Sequence, residues 1–209
     1  IQTTFSTFGS HGRKFELDIL IDSVPPVSRP RVPGAHPGRA FVIVAGEGGS
    51  GRTRLVERAL VLGRARTVTT IEIARSGEFS PARSPAEAIL QALPPAAAAD
   101  DAVPADLMRG SRADVVDYRL GQRAVERILE ASRTRSIRVV VDDIDSLDAR
   151  SATFFCYLSR RLMHEIAVLP SPPPVQMILV GTRESFESRE WADVLQEMRQ
   201  AHIAEDLAI

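Results

Sequence analysis

The sequence predicts a three-layer α/β/α sandwich on a mainly parallel sheet, and three observations carry that expectation. Residues 41–45 (FVIVA), 137–141 (IRVVV) and 175–180 (VQMILV) are apolar, largely β-branched runs with the length and composition of strands buried on both faces. Stretches with apolar residues at helical spacing separate them, the alternation that specifies parallel strands joined by helical crossovers. Turn-forming glycines and prolines border the runs.

Taken in order, residues 13–24, RKFELDILIDSV, place Phe15, Leu17, Ile19, Leu20 and Val24 in the pattern of a short amphipathic helix. Five prolines between residues 25 and 37 then specify an extended connector. After the strand at 41–45 comes a glycine loop, then RTRLVERALVLG, whose Leu55, Val56, Ala59, Leu60 and Leu62 form a helical stripe ending at Gly63. Residues 67–74, TVTTIEIA, read as a β-branched strand, 84–93 as a short helix, and 94–106 as a low-complexity loop. A longer helix is expected around 112–132, a strand at 137–141 and a helix at 149–166. The SPPP connector, a strand at 175–180 and a last helix over 185–200 complete the series. This divides the chain into an N-terminal helix and connector, 1–39, and a core, 40–209.

With 209 residues, 44% hydrophobic and 25% charged, the chain has the composition of a globular protein with a substantial core. A formal net charge of −1 leaves no overall basic footprint of the kind that drives nucleic-acid affinity. The single cysteine, Cys156, sits in an apolar helical pattern and reads as a small core residue, consistent with a reducing cytoplasm. No apolar run is long enough to span a bilayer, so no membrane partner is expected. His11, His36, His164 and His202 lack metal-ligand spacing. Arg160 and Arg161 read as a solvated helix edge before an arginine finger, and Trp191 as a packing anchor.

Three segments carry chemistry. GEGGSGRT, residues 46–53, follows the first apolar strand and has the spacing G-x-x-x-x-G-K-[ST] of a phosphate-binding loop, with Arg52 where the pattern has lysine. Gly46, Glu47, Gly48, Gly49, Ser50 and Gly51 would turn backbone N–H groups toward an oxyanion, helped by the dipole of the following helix. Arg52 would supply charge, and Thr53 a hydroxyl ligand for Mg²⁺. VVVDDID, residues 139–145, ends an apolar strand in Asp142, a candidate Mg²⁺ holder, and Asp143, a candidate to orient or deprotonate water: the pattern of a Walker B motif. MILVGTRE, residues 177–184, lifts Thr182 and Arg183 to the same sheet edge, where they would face a terminal phosphate.

These segments resemble the nucleotide-binding domain of STAND-class signalling ATPases, relatives of the AAA-type ATPases, and most resemble the N-terminal ATPase region of large LuxR-type transcriptional regulators. The resemblance rests on FGSHGRKFELDIL, GEGGSGRTRLVE, VVVDDIDSLDARSATFFCYLSRRL and MILVGTRES, and is weak over 76–135. It implies a P-loop NTPase fold that binds ATP or ADP with Mg²⁺. It places Gly12 and Arg13 beside the adenine, although Ser10, His11 and Lys14 depart from the family's usual residues. Arg54-Leu55 after the loop, the second aspartate Asp143, the acidic Asp148 and the sensor arginine Arg183 match family positions. Asp145-Ser146 stands where those regulators carry His-Trp, and looks more like AAA-type initiator ATPases.

The resemblance implies a nucleotide-controlled switch with slow or conditional hydrolysis, able to form a homo-oligomer through the ATPase domain. Lid, sensor and DNA-binding domains would lie C-terminal, so any DNA contact would be made outside these residues. A chain that opens on Ile1 is read as part of something longer. The alternatives are a scaffold built on a degenerate P-loop and a P-loop kinase. Lys14 is the only lysine among 26 basic residues, so the Arg52 substitution fits a general preference for arginine.

Overall fold

The computed structural model describes residues 13–22, 40–63, 68–73, 84–93, 113–169 and 171–209. Gly12, the proline connector and the 94–106 loop lie outside the described residues. Within them run α1 (Lys14–Asp22), β1 (Phe41–Ala45), α2 (Arg52–Gly63), β2 (Val68–Ile73) and α3 (Pro85–Ala92). Then come α4 (Ala113–Ser132), β3 (Ser136–Val141), a 3-10 turn (Ile144–Ser146), α5 (Ala149–Val168) and β4 (Val175–Gly181). The short α6 (Arg183–Phe186), α7 (Arg189–Gln200) and β5 (Ala204–Ala208) close the series.

The five strands form one sheet in the order β2-β3-β4-β1-β5, every neighbouring pair parallel. Side-chain alternation sorts the core into two layers. Phe41, Ile43, Ile137, Val139, Met177 and Leu179 face the layer built with α3, α4, α5 and α7. Val42, Val44, Val140, Ile178 and Val180 face the layer under α1 and α2. Strands β1, β3 and β4 are thus covered on both sides, which is why they read as continuous apolar runs. The α/β/α expectation holds.

Helix α1 belongs physically to the α2 layer, with Leu17, Ile19 and Leu20 buried there. A charged residue on the sheet completes this docking. Arg138, in β3 and 3% exposed, donates through Nε to Gln176 Oε1 on β4 (2.7 Å) and through Nη2 to the Leu20 carbonyl near the end of α1 (2.9 Å). A buried guanidinium is tolerated because its donors are matched by acceptors.

Helix starts follow local capping chemistry. Ser84 and Glu87 form a reciprocal capping box at α3, and Asp148 accepts from Ser151 N (2.7 Å) at α5. Two features differ from expectation. The last helix is broken at Glu187 and Ser188: α6 is a single turn capped by Thr182, and Ser188 precedes α7. The break lets Phe186 and Trp191 both bury their rings against the α5 layer. A fifth strand, β5, pairs with β1 from Phe41↔Ala204 to Ala45↔Ala208. Only Leu207 of β5 is buried and Asp206 is exposed, so this charged edge strand shows no apolar run. No helix among the described residues is long and apolar enough to cross a membrane.

Candidate functional site

Strand order brings the site together. The chain leaves β1 for the far edge of the sheet, returns through β3 and β4, and crosses to β5 on the other side of β1. Open parallel sheets form a crevice at the carboxyl ends of strands where the direction of winding changes. The glycine loop leaves the end of β1, Asp142 and Asp143 leave the end of β3, and Thr182 leaves the end of the intervening β4.

The loop is folded by its glycines. Gly49 and Gly51 adopt φ of +80° and +86°, the left-handed region that side chains disfavour. Ser50 N donates to the Glu47 carbonyl (3.1 Å), closing a tight turn. Gly46 is fixed against its surroundings: its N donates to the Gly181 carbonyl (3.3 Å), and a Cβ there would lie 2.6 Å from both the Ile209 carbonyl and Ser50 Oγ. Helix α2 begins immediately afterwards at Arg52.

A cavity of about 510 Å³ opens over this loop, lined by Gly48, Gly49, Gly51, Arg52, Thr53, Arg54, Asp142, Asp143 and Val180. Thr53 Oγ1, on the first turn of α2, donates to Asp142 Oδ1 (3.2 Å), joining the two motifs across 89 residues of sequence. Asp143 has φ 61° and ψ 60°, a left-handed conformation that costs on the order of 1–3 kcal/mol for a residue with a side chain. Its carbonyl accepts from Ser146 N (3.0 Å) and Ser146 Oγ (2.9 Å), which fixes the strained residue at the cavity wall.

The other sequence candidates take defined places. Arg13 donates through Nη2 to the Ser50 carbonyl (2.9 Å), so α1 reaches the outside of the loop. Arg54 lines the cavity and is exposed; Glu47 is exposed. Arg183 opens α6 with an exposed side chain and is not among the residues lining the cavity. Arg160 pairs with Glu197 (3.1 Å) and Arg161 with Glu165 (2.7 Å), as expected of solvated helix surface.

Asp145 is the residue whose importance the sequence reading missed. It accepts from Thr182 N (3.1 Å), from Thr182 Oγ1 (2.5 Å) and from Ser185 Oγ, and Arg52 Nη1 lies 3.7 Å from its Oδ2. Its sequence signal is slight: a third carboxylate, three residues after Asp142. Burial pushes its carboxyl up, but the hydrogen bonds from Ser185 and Thr182 and the charge of Arg52 together hold it below the ordinary 3.8. A lowered native value means that the unfolded chain takes up the proton first. The stabilisation is therefore present above the ordinary value and is lost as pH falls through the lowered one. Asp145→Asn is expected to narrow its deficit in thermal stability against the unsubstituted chain as pH falls from about 5 to below the ordinary 3.8. Parallel melting curves across that window check the convergence.

The loop fits a bound polyphosphate on its own chemistry. Among the described residues four buried side-chain polar atoms lack a hydrogen-bond partner, and two of them, Ser50 Oγ and Arg52 Nη1, belong to the loop. Of the two residues, Arg52 lines the cavity, where a bound anion would be an acceptor for it. A Cβ at Gly48 or Gly49 would meet nothing within 4 Å, so the backbone there faces open space. Among the described residues no group of three His, Cys, Asp or Glu could hold a cation alone, so Mg²⁺ beside Thr53 and Asp142 would draw its remaining oxygens from phosphate and water.

Comparison with known proteins agrees with this geometry: a model of the AAA ATPase domain family matches residues 12–176. The chain belongs to that family. The matched span holds the glycine loop, Asp142, Asp143 and Asp145, while the end of β4 with Thr182 and Arg183 lies beyond it. No curated protein matches the chain. As an AAA-type P-loop ATPase domain it is a nucleotide-binding module whose usual ligands are a nucleotide and Mg²⁺.

Proposed function

We propose that this AAA domain binds ATP or ADP with Mg²⁺ and uses the nucleotide state as a regulatory switch, with slow hydrolysis. The observation that carries the reading is the Thr53–Asp142 hydrogen bond in a cavity built over the glycine loop. Gly46, Glu47, Gly48, Gly49, Ser50 and Gly51 would seat the phosphates on backbone N–H groups and the α2 dipole. Arg52 and Arg54 would add charge, and Thr53 and Asp142 would hold Mg²⁺, which supplies charge neutralisation on the phosphates when bound. Asp143 would orient or deprotonate the attacking water. Thr182 and Arg183 would report the terminal phosphate from the end of β4, and Gly12 and Arg13 would form the base side of the site.

Slow turnover follows from Arg52. The loop amides and helix dipole bind phosphate whatever occupies this position, but a planar guanidinium bridges phosphates less readily than a compact ammonium. In this structure the guanidinium is also engaged with Asp145. The regulator context rests on the sequence resemblance to the ATPase region of LuxR-type transcriptional regulators. In that setting assembly would run through this domain, in the cytoplasm, and DNA contact through other domains.

Steady-state phosphate release by the unsubstituted chain and by Arg52→Lys tests the switch reading. Both are expected to bind nucleotide, with turnover at least about tenfold faster in the lysine variant. Equal turnover, fast in both, would remove slow hydrolysis as a consequence of Arg52. Absence of turnover in both, despite binding, would favour a scaffold.

A further inference from the structure

We propose that Asp145 is a positioning residue for Arg52 and sets the preference of the site between nucleoside diphosphate and triphosphate; this rests on the nucleotide-binding reading above. Arg52 stands at the position of the loop cation, its side chain 14% exposed. Its Nη1 lies 3.7 Å from Asp145 Oδ2, too far for a hydrogen bond but close enough for charge pairing, and that nitrogen has no hydrogen-bond partner. The carboxylate is not free to follow it. Thr182 N, Thr182 Oγ1 and Ser185 Oγ all donate to Asp145, tying it to the turn between β4 and α6.

Two consequences follow from a fixed carboxylate behind a partly satisfied guanidinium. An arriving phosphate shares Arg52 with an anion already in place, which the five-donor guanidinium fork permits. A further phosphate must draw more of the Arg52 guanidinium away from Asp145, and the fixed carboxylate opposes that movement. The diphosphate, which needs less of Arg52, thus suffers less from Asp145 than the triphosphate does. The same carboxylate joins the loop after β1 to the turn after β4, so anything that draws Arg52 forward acts on Thr182 and Ser185 through one residue.

The test measures dissociation constants of Mg²⁺-ADP and of a non-hydrolysed Mg²⁺-ATP analogue for the unsubstituted chain, Asp145→Asn and Arg52→Gln/Asp145→Asn, with Arg52→Gln as reference. Asp145→Asn is expected to shift the ratio of the two constants toward the triphosphate by about tenfold. In the Arg52→Gln background the same substitution is expected to shift the ratio by less than about threefold. Asp145→Ser, which also removes the charge but keeps an acceptor for Thr182, should reproduce the shift and serves if the asparagine variant does not fold. Equal weakening of both nucleotides would mean that Asp145 merely supports the β4–α6 turn, and would overturn the proposal while leaving nucleotide binding intact. A full shift without Arg52 would also overturn it. Failure of the unsubstituted chain to bind either nucleotide would overturn this and the parent reading together.

Discussion

Asp142→Ala is expected to remove most of the Mg²⁺-dependent part of ATP binding while leaving metal-free binding within about threefold of its original strength. Asp142 follows the buried run Ser136–Val141, and its backbone N donates to the Ile73 carbonyl (3.2 Å), so the end of β3 stays paired when the side chain is removed. What is lost is the acceptor for Thr53 Oγ1, 3.2 Å away, and the carboxylate charge at that wall of the cavity. Groups that orient a metal ligand are typically worth about 10–100-fold in metal affinity, and a similar loss is expected here. Thr53→Ala should act in the same direction and, paired with Asp142→Ala, give less than the product of the two effects. Calorimetric titration of ATP with and without Mg²⁺ reads both quantities. An unchanged Mg²⁺ response in Asp142→Ala would place the cation elsewhere.

Gly181→Ala is expected to destabilise the domain by about 1–3 kcal/mol, and Gly181→Val by more. Gly181 ends β4, where it pairs with Ala45 and accepts from Gly46 N through its carbonyl (3.3 Å). A Cβ there would run into the Ile144 side chain, 2.9 Å from its Cδ1 and closer still to Cγ1, with Phe186 Cε2 at 3.4 Å. Ile144 opens the 3-10 turn between Asp143 and Asp145, so relief of the clash moves both carboxylates. The substitution should therefore weaken nucleotide binding as well as lower the denaturant midpoint. Ile144→Ala removes the atoms in the way but also core packing, so the two substitutions together should cost less than the sum of their separate costs. Strictly additive costs would show that the glycine serves the backbone rather than the space.

How much was legible follows from which contacts are local. Strands β1, β3 and β4 were readable because both faces are buried, and the loop because its glycines and Thr53 occupy fixed spacings. Strand β5 was not, because an edge strand with Glu205 and Asp206 needs only Leu207 inside. Arg138 sits in a buried strand without spoiling it because its acceptors lie on β4 and α1, partners no local pattern displays. Asp145 was visible only as a third carboxylate, three residues after Asp142, and as a departure from the His-Trp pair of the resembling regulators. Its contacts with Thr182 and Ser185 span 37 and 40 residues, and the break before α7 that accompanies them has no proline or glycine to mark it. A motif's fixed spacing displays candidate residues locally, whereas the residue linking two motifs is displayed only by strand order.

The most direct measurement is a calorimetric titration of Mg²⁺-ATP and Mg²⁺-ADP into the unsubstituted chain. Saturable binding of one nucleotide per chain, weakened when Mg²⁺ is chelated and lost when the loop is disrupted by Gly51→Val at φ +86°, is the expected result. A folded chain that takes up neither nucleotide, with or without Mg²⁺, would contradict the assignment of the 510 Å³ cavity as a nucleotide site.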